Sequence, residues 1–361
     1  MKPTLESVQQ ALQAVIDPNT GKDLMTSRSA RNLRVDGNDV SVDVELGYPA
    51  ASQIEPIRRA VIEALKAAGA ANVSANVTMK IVAHTVQRGL KVMPNIKNIV
   101  AVASGKGGVG KSTVAANLAL ALAAEGATVG VLDADIYGPS QPTMLGIKGR
   151  PVTTDNRTLE PMENLGLQMS SIGLLIDPDQ PMVWRGPMVT QALQQLLTQT
   201  NWRDLDYLVV DMPPGTGDIQ LTLAQQVPVT GVVIVTTPQD IALMDAKKGL
   251  KMFEKVGVPI LGIVENMAVH VCSNCGHSEH VFGSQGGQNM AREYGVDFLG
   301  SLPLDIRIRE QTDAGRPTVS AEPDSAIAQS YKEIARKVAV RIAEKAKDMS
   351  LKMPTIKVSN T

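Results

Sequence analysis

The stretch from Gly105 to Ser112 carries the most specific chemical signal in this chain of 361 residues. It reads GKGGVGKS, which matches the pattern G-x-x-x-x-G-K-[ST], and it lies between an apolar run and a helical run. Glycines there let the backbone turn its N–H groups toward phosphate oxygens, and the next helix adds partial positive charge at its N-terminus. Lys111 would then reach the β- and γ-phosphates, and the Ser112 hydroxyl would bind Mg²⁺. A glycine-rich turn without a ligand is the structural alternative.

Carboxylates follow two further apolar runs. Asp211 ends the run YLVVD and precedes MPPGTGD, whereas Asp133 and Asp135 lie in VLDADIYGPS. Open parallel sheets bind ligands where their strands end, and a carboxylate at that edge can hold Mg²⁺ directly or through water. We therefore predict that Ser112, Asp133 and Asp211 hold the magnesium ion. Aspartates that only cap turns are the structural alternative.

Both cysteines of the chain, Cys272 and Cys275, lie in the segment ENMAVHVCSNCGHSEHVFG, together with three of its four histidines. Two thiolates at this spacing can bind one zinc ion or part of an iron–sulfur cluster. A cluster usually takes four thiolates, which a symmetric dimer with both cysteine pairs at its two-fold axis would supply. Two alternatives stay open: a one-chain zinc site that also uses His277 and His280, and a thioredoxin-like dithiol.

The composition is that of an ordinary globular protein. Hydrophobic residues make up 43% of the chain and charged residues 20%, and the chain has 35 basic and 36 acidic residues. This balance argues against disorder and gives no support to a nucleic-acid-binding surface. The longest apolar stretch, from Val114 to Ala124, is too short to cross a bilayer. Because the N-terminus lacks a secretory signal, we expect a cytoplasmic protein with no membrane or nucleic-acid partner.

The pattern of apolar residues predicts two units. Residues 1–90 read as a small α+β domain with an opening helix, a hairpin around Gly37, a second helix from about Ile54 to Ala67 and a further strand. A linker at 91–97 leads to an α/β unit at 98–347, followed by a tail at 348–361. In that unit apolar runs alternate with helices, which predicts a mostly parallel sheet flanked by helices. The runs lie at 99–104, 128–133, 207–211, 232–237, 260–265 and 296–301.

The loop GKGGVGKST resembles the deviant Walker A motif of the P-loop family that includes MinD, ParA, the nitrogenase iron protein and the Mrp/ApbC proteins. The resemblance implies that Lys106 reaches the phosphates of a partner chain across a dimer, and that Asp135 orients the attacking water. It also implies that Asn266 recognises the adenine, with Pro238 in a second loop near the base. The nucleotide-binding loop then comprises Gly105, Lys106, Gly107, Gly108, Val109, Gly110, Lys111, Ser112 and Thr113.

The order of motifs along residues 95–345 resembles that of the Mrp/ApbC iron–sulfur carrier ATPases. A deviant Walker A is followed by DADIYGPS, DMPPGTGD, ENM, the C-x-x-C-G pair and FGSQGG. The first unit resembles a small domain that precedes this ATPase in many bacterial members and occurs alone in other iron–sulfur assembly factors. The resemblance implies a homodimer that binds ATP and Mg²⁺, and that passes a bridging [4Fe-4S] cluster to apo iron–sulfur proteins alongside other assembly factors.

Two other functions remain as alternatives at the level of sequence. A spatial-organisation ATPase similar to MinD or ParA would share the nucleotide motifs, but it needs a membrane- or DNA-binding surface that charge and C-terminal pattern do not indicate. A zinc-stabilised P-loop ATPase regulator would use the cysteines structurally. Metal content separates it from the carrier, because it holds one zinc per chain instead of four irons per dimer.

Overall fold

The fold was analysed in a computed structural model. It describes residues 2–84, 90, 93–153, 155, 157–175, 186–272 and 274–351, without the side chains of 186, 187, 218 and 346–351. The predicted linker lies partly outside this range, at 91 and 92, and so does the end of the predicted tail, at 352–361.

Residues 5–79 form a small domain in which helices cover one face of a sheet. Its elements are α1 (Leu5–Gln13), β1 (Ala30–Asp36), β2 (Asp39–Leu46), α2 (Ile54–Ala67) and β3 (Asn72–Met79). The predicted hairpin is present, since β1 pairs antiparallel with β2 around Gly37, whose φ of 59° is in the left-handed region. Strand β3 then pairs parallel with β2. The predicted opening helix is present and ends at Gln13, and the apolar residue Ile16 beyond it is 53% exposed.

The second unit alternates strands and helices as predicted. Its elements are β4 (Ile96–Ala103), α3 (Lys111–Ala124), β5 (Val129–Asp133), α4 (Gln141–Met144), β6 (Met162–Asn164), β7 (Leu167–Ser171), α5 (Gly186–Gln199), β8 (Leu205–Asp211), α6 (Asp218–Gln226), β9 (Gly231–Thr236), α7 (Asp240–Lys255), β10 (Ile260–Glu265), β11 (His270–Val271), β12 (Ser278–Glu279), α8 (Gly286–Tyr294), β13 (Phe298–Ser301), α9 (Ile306–Asp313), α10 (Thr318–Ala321) and α11 (Ala326–Leu351). Ile96 and Lys97, which the sequence assigned to the linker, belong to β4. Helix α11 continues to Leu351, past the predicted end of the domain at 347.

Across the described residues, the main sheet has eight strands in the order β13-β10-β9-β4-β8-β5-β7-β6. Every neighbouring pair is parallel except the edge pair β6 and β7, which confirms the predicted mostly parallel sheet. Strand β7 was missed because its sequence, LQMSS, has little apolar character although all five residues are buried. No described helix is long and apolar enough to cross a membrane.

Helix α3 of the second unit is buried around most of its circumference. Val114, Leu118 and Leu122 have no exposed surface, and neither do the alanines Ala115 and Ala119 between them. A helix that is apolar all round needs partners on all sides. The sheet provides one partner and α11 another, and the core on this side is continuous with that of the small domain.

Four polar side chains join the small domain to the C-terminal end of α3, and we call them the junction network (Asn19, Ser52, Glu125 and Arg336). Glu125 is 1% exposed and accepts hydrogen bonds from Arg336 Nη1 at 2.6 Å and from Ser52 Oγ at 2.7 Å. Arg336 Nε also donates to Asn19 Oδ1 at 3.1 Å. The network therefore fixes the small domain against both α3 and α11.

Removal of Glu125 should destabilise the protein strongly. Glu125→Ala leaves Arg336 buried without its counter-ion, so we expect the free energy of unfolding in urea to fall by about 3–5 kcal/mol. Glu310→Ala is the matched control: it removes an ion pair with Arg309 in which both side chains are more than half exposed, and its effect should stay below about 1 kcal/mol. Equal effects of the two substitutions would show that the junction network does not hold the domains together.

Candidate functional site

The predicted phosphate loop lies between the end of β4 and the start of α3, at the carboxyl edge of the sheet. Gly108 and Gly110 have φ angles of 81° and 82°, which residues with a Cβ rarely adopt. At Gly105 the reason for glycine is space, because a Cβ atom there would lie 2.1 Å from the carbonyl carbon of Asp245. The loop is thus shaped by both backbone conformation and direct contact with helix α7.

Lys111 begins α3 and points into a group of carboxylates, which we call the carboxylate cluster (Asp133, Asp135 and Asp211). Asp133 and Asp211 are buried, and Asp135 is partly buried. Its ammonium nitrogen forms an ion pair with Asp211 and lies 3.7 Å from Asp135 Oδ2. The same nitrogen donates to Ser112 Oγ at 3.2 Å. The structure therefore brings Lys111, Ser112, Asp135 and Asp211 together, as the sequence predicted.

Asp133 joins this group from the neighbouring strand, since it pairs in register with Asp211 across β5 and β8. Burial, and then the nearby Asp211 carboxylate, raises the pKa of Asp133 to about 7. Burial also raises the pKa of Asp135, although the Lys111 ammonium acts in the opposite direction. Among the described residues, the Lys111 ammonium group thus pairs with Asp135 and Asp211, and it also lowers the pKa of Asp133 against the larger effect of burial.

The carboxylate cluster suits a magnesium ion that arrives with a nucleotide. The cluster has three carboxyl groups, and Lys111 supplies only one positive charge to balance them. The Ser112 hydroxyl lies 3.2 Å from the same ammonium nitrogen. Among the described residues, no group of three or more His, Cys, Asp or Glu side chains is arranged to hold a metal ion by itself. Mg²⁺ does not depend on such a group, because it usually binds one or two carboxylates together with substrate phosphates and water. Ser112, Asp133 and Asp211 remain the predicted ligands.

Two residues at this edge were missed by the sequence interpretation. Gln141, at the start of α4, has no exposed surface and donates hydrogen bonds to Asp133 Oδ2 and Asp211 Oδ2. Ser171, at the end of β7, donates to Asp133 Oδ2 at 3.2 Å. The only available signal for Gln141 was its position after the DADIYGPS motif, and Ser171 lies in the strand that the pattern did not reveal.

Asn266 lies beside the phosphate loop, directly after β10. It is 6% exposed, and its side-chain amide donates to the Val109 carbonyl at 2.9 Å. It also crowds Gly110, where a Cβ atom would lie 2.2 Å from the Asn266 amide nitrogen. Pro238 lines a separate cavity of about 460 Å³ between α7 and α8. The adenine-binding role of both residues stays a prediction.

The two cysteines lie in a short antiparallel hairpin formed by β11 and β12, which we call the cysteine hairpin (residues 270–279). The Cys272 N–H donates to the His277 carbonyl at 2.9 Å, and the Gly276 N–H donates to the Cys272 carbonyl at 2.9 Å. Gly276 has a φ of 71°, which permits this tight return. Hydrogen bonds from the backbone N–H groups of Cys275 and Asn274 lower the pKa of the Cys272 thiol.

Cys275 is exposed and Cys272 is half-buried, so both sulfur atoms belong to a loop at the molecular surface. His280 Nδ1 lies 2.7 Å from the Ala268 carbonyl, and His270 Nδ1 lies 3.1 Å from the Leu304 carbonyl. The one-chain zinc alternative requires Cys272, Cys275, His277 and His280 around one point. The described residues contain no such group of three or more metal-binding side chains.

The cysteine hairpin is attached to the nucleotide edge of the sheet at both ends. On one side it follows Asn266, whose N–H donates to the Thr236 carbonyl at 2.8 Å and whose side chain contacts the phosphate loop. On the other side it leads into α8, where the Gly287 N–H donates to Glu265 Oε2 at 2.5 Å. The buried Glu265 carboxylate, also missed in the sequence, therefore caps α8 next to the point where the hairpin begins.

Comparisons with known proteins agree with this geometry. The family model described as NUBPL iron-transfer P-loop NTPase matches residues 95–339, and a model described as iron-sulfur cluster assembly protein matches residues 5–78. A protein from Haemophilus influenzae named iron-sulfur cluster carrier protein is 50% identical over 337 residues, which cover 93% of this chain and 91% of the relative. One of the same name from Pseudomonas fragi is 61% identical over 269 residues, covering 74% and 94%.

A solved structure of a nucleotide-binding protein from Archaeoglobus fulgidus, in complex with ADP, is also similar. It is 39% identical and covers 64% of this chain and 90% of its own, with a TM-score of 0.56. The range matched by the NTPase family model, residues 95–339, includes the strands and loops that carry the carboxylate cluster and the phosphate loop.

The raised pKa of Asp133 predicts a pH effect on stability. The folded state keeps a proton on Asp133 that the unfolded state releases, so this contribution is complete below the usual value of 3.8 and is lost as pH rises through about 7. Asp133→Asn removes the titration, and its Tm should therefore fall less than that of the wild type between about pH 5 and about pH 8. Asp324→Asn, at an exposed aspartate, is the control and should follow the wild type. Identical pH profiles for all three proteins would mean that Asp133 is already ionised.

Proposed function

Because the chain belongs to the NUBPL iron-transfer P-loop NTPase family, we propose that it is an iron–sulfur cluster carrier whose cargo is moved under control of ATP binding and hydrolysis. Membership confirms the resemblance drawn from the nucleotide motifs, and the relatives named iron-sulfur cluster carrier protein support the cargo. The free thiols of Cys272 and Cys275 suit the reducing cytoplasm that the sequence predicted.

The observation that supports this function most directly is that the phosphate loop and the exposed cysteine hairpin lie at the same edge of the sheet. Contacts of Asn266 and Glu265 attach the hairpin to that edge. Each chain offers two thiolates. Two copies related by a two-fold axis would supply the four thiolates of a bridging [4Fe-4S] cluster, so we propose a homodimer as the working form. Apo iron–sulfur proteins and other assembly factors are the proposed partners, because a surface-exposed pair of thiolates is accessible for transfer.

Each polar group at the phosphate loop has a role in the proposed hydrolysis. Backbone N–H groups of the glycine-rich loop hold the phosphates. Lys111 exchanges its contact with Asp211 for the β- and γ-phosphates, and Lys106 of the partner subunit contacts the same phosphates across the dimer. Asp135 orients the attacking water. Ser112, Asp133 and Asp211 would hold a magnesium ion that arrives with the nucleotide, and the ion would neutralise negative charge that develops on the phosphates.

Loss of either lysine should slow hydrolysis strongly. Lys111→Ala and Lys106→Ala remove cations that stabilise charge in the transition state, so we expect phosphate release to slow by roughly 10²–10³-fold. Lys66→Ala, which alters an exposed lysine on α2 away from the site, is the control. Hydrolysis at the wild-type rate in Lys111→Ala would contradict the proposed nucleotide site.

Anaerobic reconstitution with iron and sulfide tests the cargo. The wild type should develop absorbance near ~400 nm with about four irons per dimer, because thiolate-bound clusters absorb there. Cys272→Ala should lose this absorbance while keeping its affinity for nucleotide, whereas Ser278→Ala, which changes a residue of the same hairpin without a thiol, should retain it. A cluster retained by Cys272→Ala would refute the ligand assignment. A colourless wild type with one zinc per chain would instead indicate the zinc-stabilised regulator.

A further inference from the structure

Gln141 forms hydrogen bonds to two members of the carboxylate cluster, Asp133 and Asp211. Its backbone N–H donates to Asp133 Oδ2 at 3.1 Å, and its side-chain nitrogen donates to Asp211 Oδ2 at 2.9 Å. The same side-chain nitrogen donates to the backbone carbonyl of Ser112 at 2.9 Å. One fully buried residue therefore contacts the ends of β5 and β8 and the first turn of α3, which are the three elements that carry the predicted magnesium ligands.

These bonds divide the two oxygens of Asp211 between two partners. Lys111 donates to Oδ1, and Gln141 donates to Oδ2. When Lys111 turns toward a phosphate, Oδ1 becomes free, while the bond from Gln141 still prevents the carboxylate from rotating. The side-chain oxygen of Gln141 is itself buried and has no hydrogen-bond partner among the described residues. A buried acceptor without a donor costs free energy unless a further group arrives to donate to it.

We propose that Gln141 is a positioning residue for the magnesium ion, which holds Asp211 and the Ser112 backbone so that the freed carboxylate oxygen faces the cation. The proposal rests on the proposed nucleotide function. Groups that orient metal ligands through hydrogen bonds typically change metal affinity by 10–100-fold when they are removed. A neutral amide is suited to this task, because it donates to two oxygens without adding a further negative charge beside three carboxylates.

The role follows from what other side chains would do at this position. Leucine has nearly the same size but no donor, so Asp211 Oδ2 and the Ser112 carbonyl would both lose a bond. Methionine fills the volume with a more flexible chain and also lacks a donor. Both variants therefore remove the side-chain hydrogen bonds. If leucine packs poorly at this position, the methionine variant still shows the effect of losing them.

The experiment measures how strongly Mg²⁺ tightens nucleotide binding. A fluorescent ADP analogue is titrated into the full chain with Mg²⁺ and with EDTA, and the ratio of the two Kd values is compared among variants. Gln141→Leu and Gln141→Met should reduce this ratio by about 10–100-fold. With EDTA their Kd values should stay close to the wild type, because the backbone of the phosphate loop holds the phosphates.

Gln168→Leu is the matched control. Gln168 is also buried, at 8% exposure, and makes two side-chain hydrogen bonds of 2.9 Å to the backbone of Arg203, away from the carboxylate cluster. Its variant should keep the wild-type ratio. An unchanged ratio in Gln141→Leu, or an equal loss in Gln168→Leu, would overturn the positioning role while leaving the proposed ATPase intact. A wild type whose binding ignores Mg²⁺ would overturn the magnesium site itself.

Discussion

The confinement of three carboxylates around Lys111 is the constraint on which the rest of the structure depends. Asp133, Asp135 and Asp211 arrive at one point because β5 and β8 are adjacent parallel strands that end together. Such a group is tolerated because Lys111 forms ion pairs with it, because Gln141 and Ser171 donate hydrogen bonds, and because burial favours a proton on Asp133. The carboxylates outnumber the single ammonium group beside them, and this excess of negative charge is the basis of the proposed magnesium site.

Helix α3 links the carboxylate cluster to the junction network. Its first residue is Lys111, and its C-terminal end is followed by Glu125, which is bound to Arg336 and to Ser52 of the small domain. Most of this helix is buried, and the closely packed interior around it leaves little room for its side chains to move. The small domain is therefore seated on the far end of the element that begins at the nucleotide site.

The cysteine hairpin has a different relation to the same edge. It is exposed, but its two ends are held by groups that belong to the sheet: Asn266 contacts the phosphate loop and Glu265 caps α8. Under the proposed function, this exposed loop would present two sulfur atoms to a second copy or to a recipient. Its fixed ends would keep it close to the phosphate loop, which the proposed coupling of nucleotide chemistry to cargo requires.

The amino-acid sequence by itself determined the parallel sheet, the phosphate loop and the carboxylates at the strand ends, and it marked Cys272 and Cys275 as a predicted metal-binding pair. These features depend on short-range properties: apolar runs, glycines in a tight loop, and ligand spacing. Only the tertiary structure decided the contacts of Gln141, Ser171, Glu265 and Glu125, because their partners are distant in sequence and a polar residue gives no local sign of being buried. Strand β7 belongs with them, since its burial results from its neighbours and its own side chains are largely polar or small.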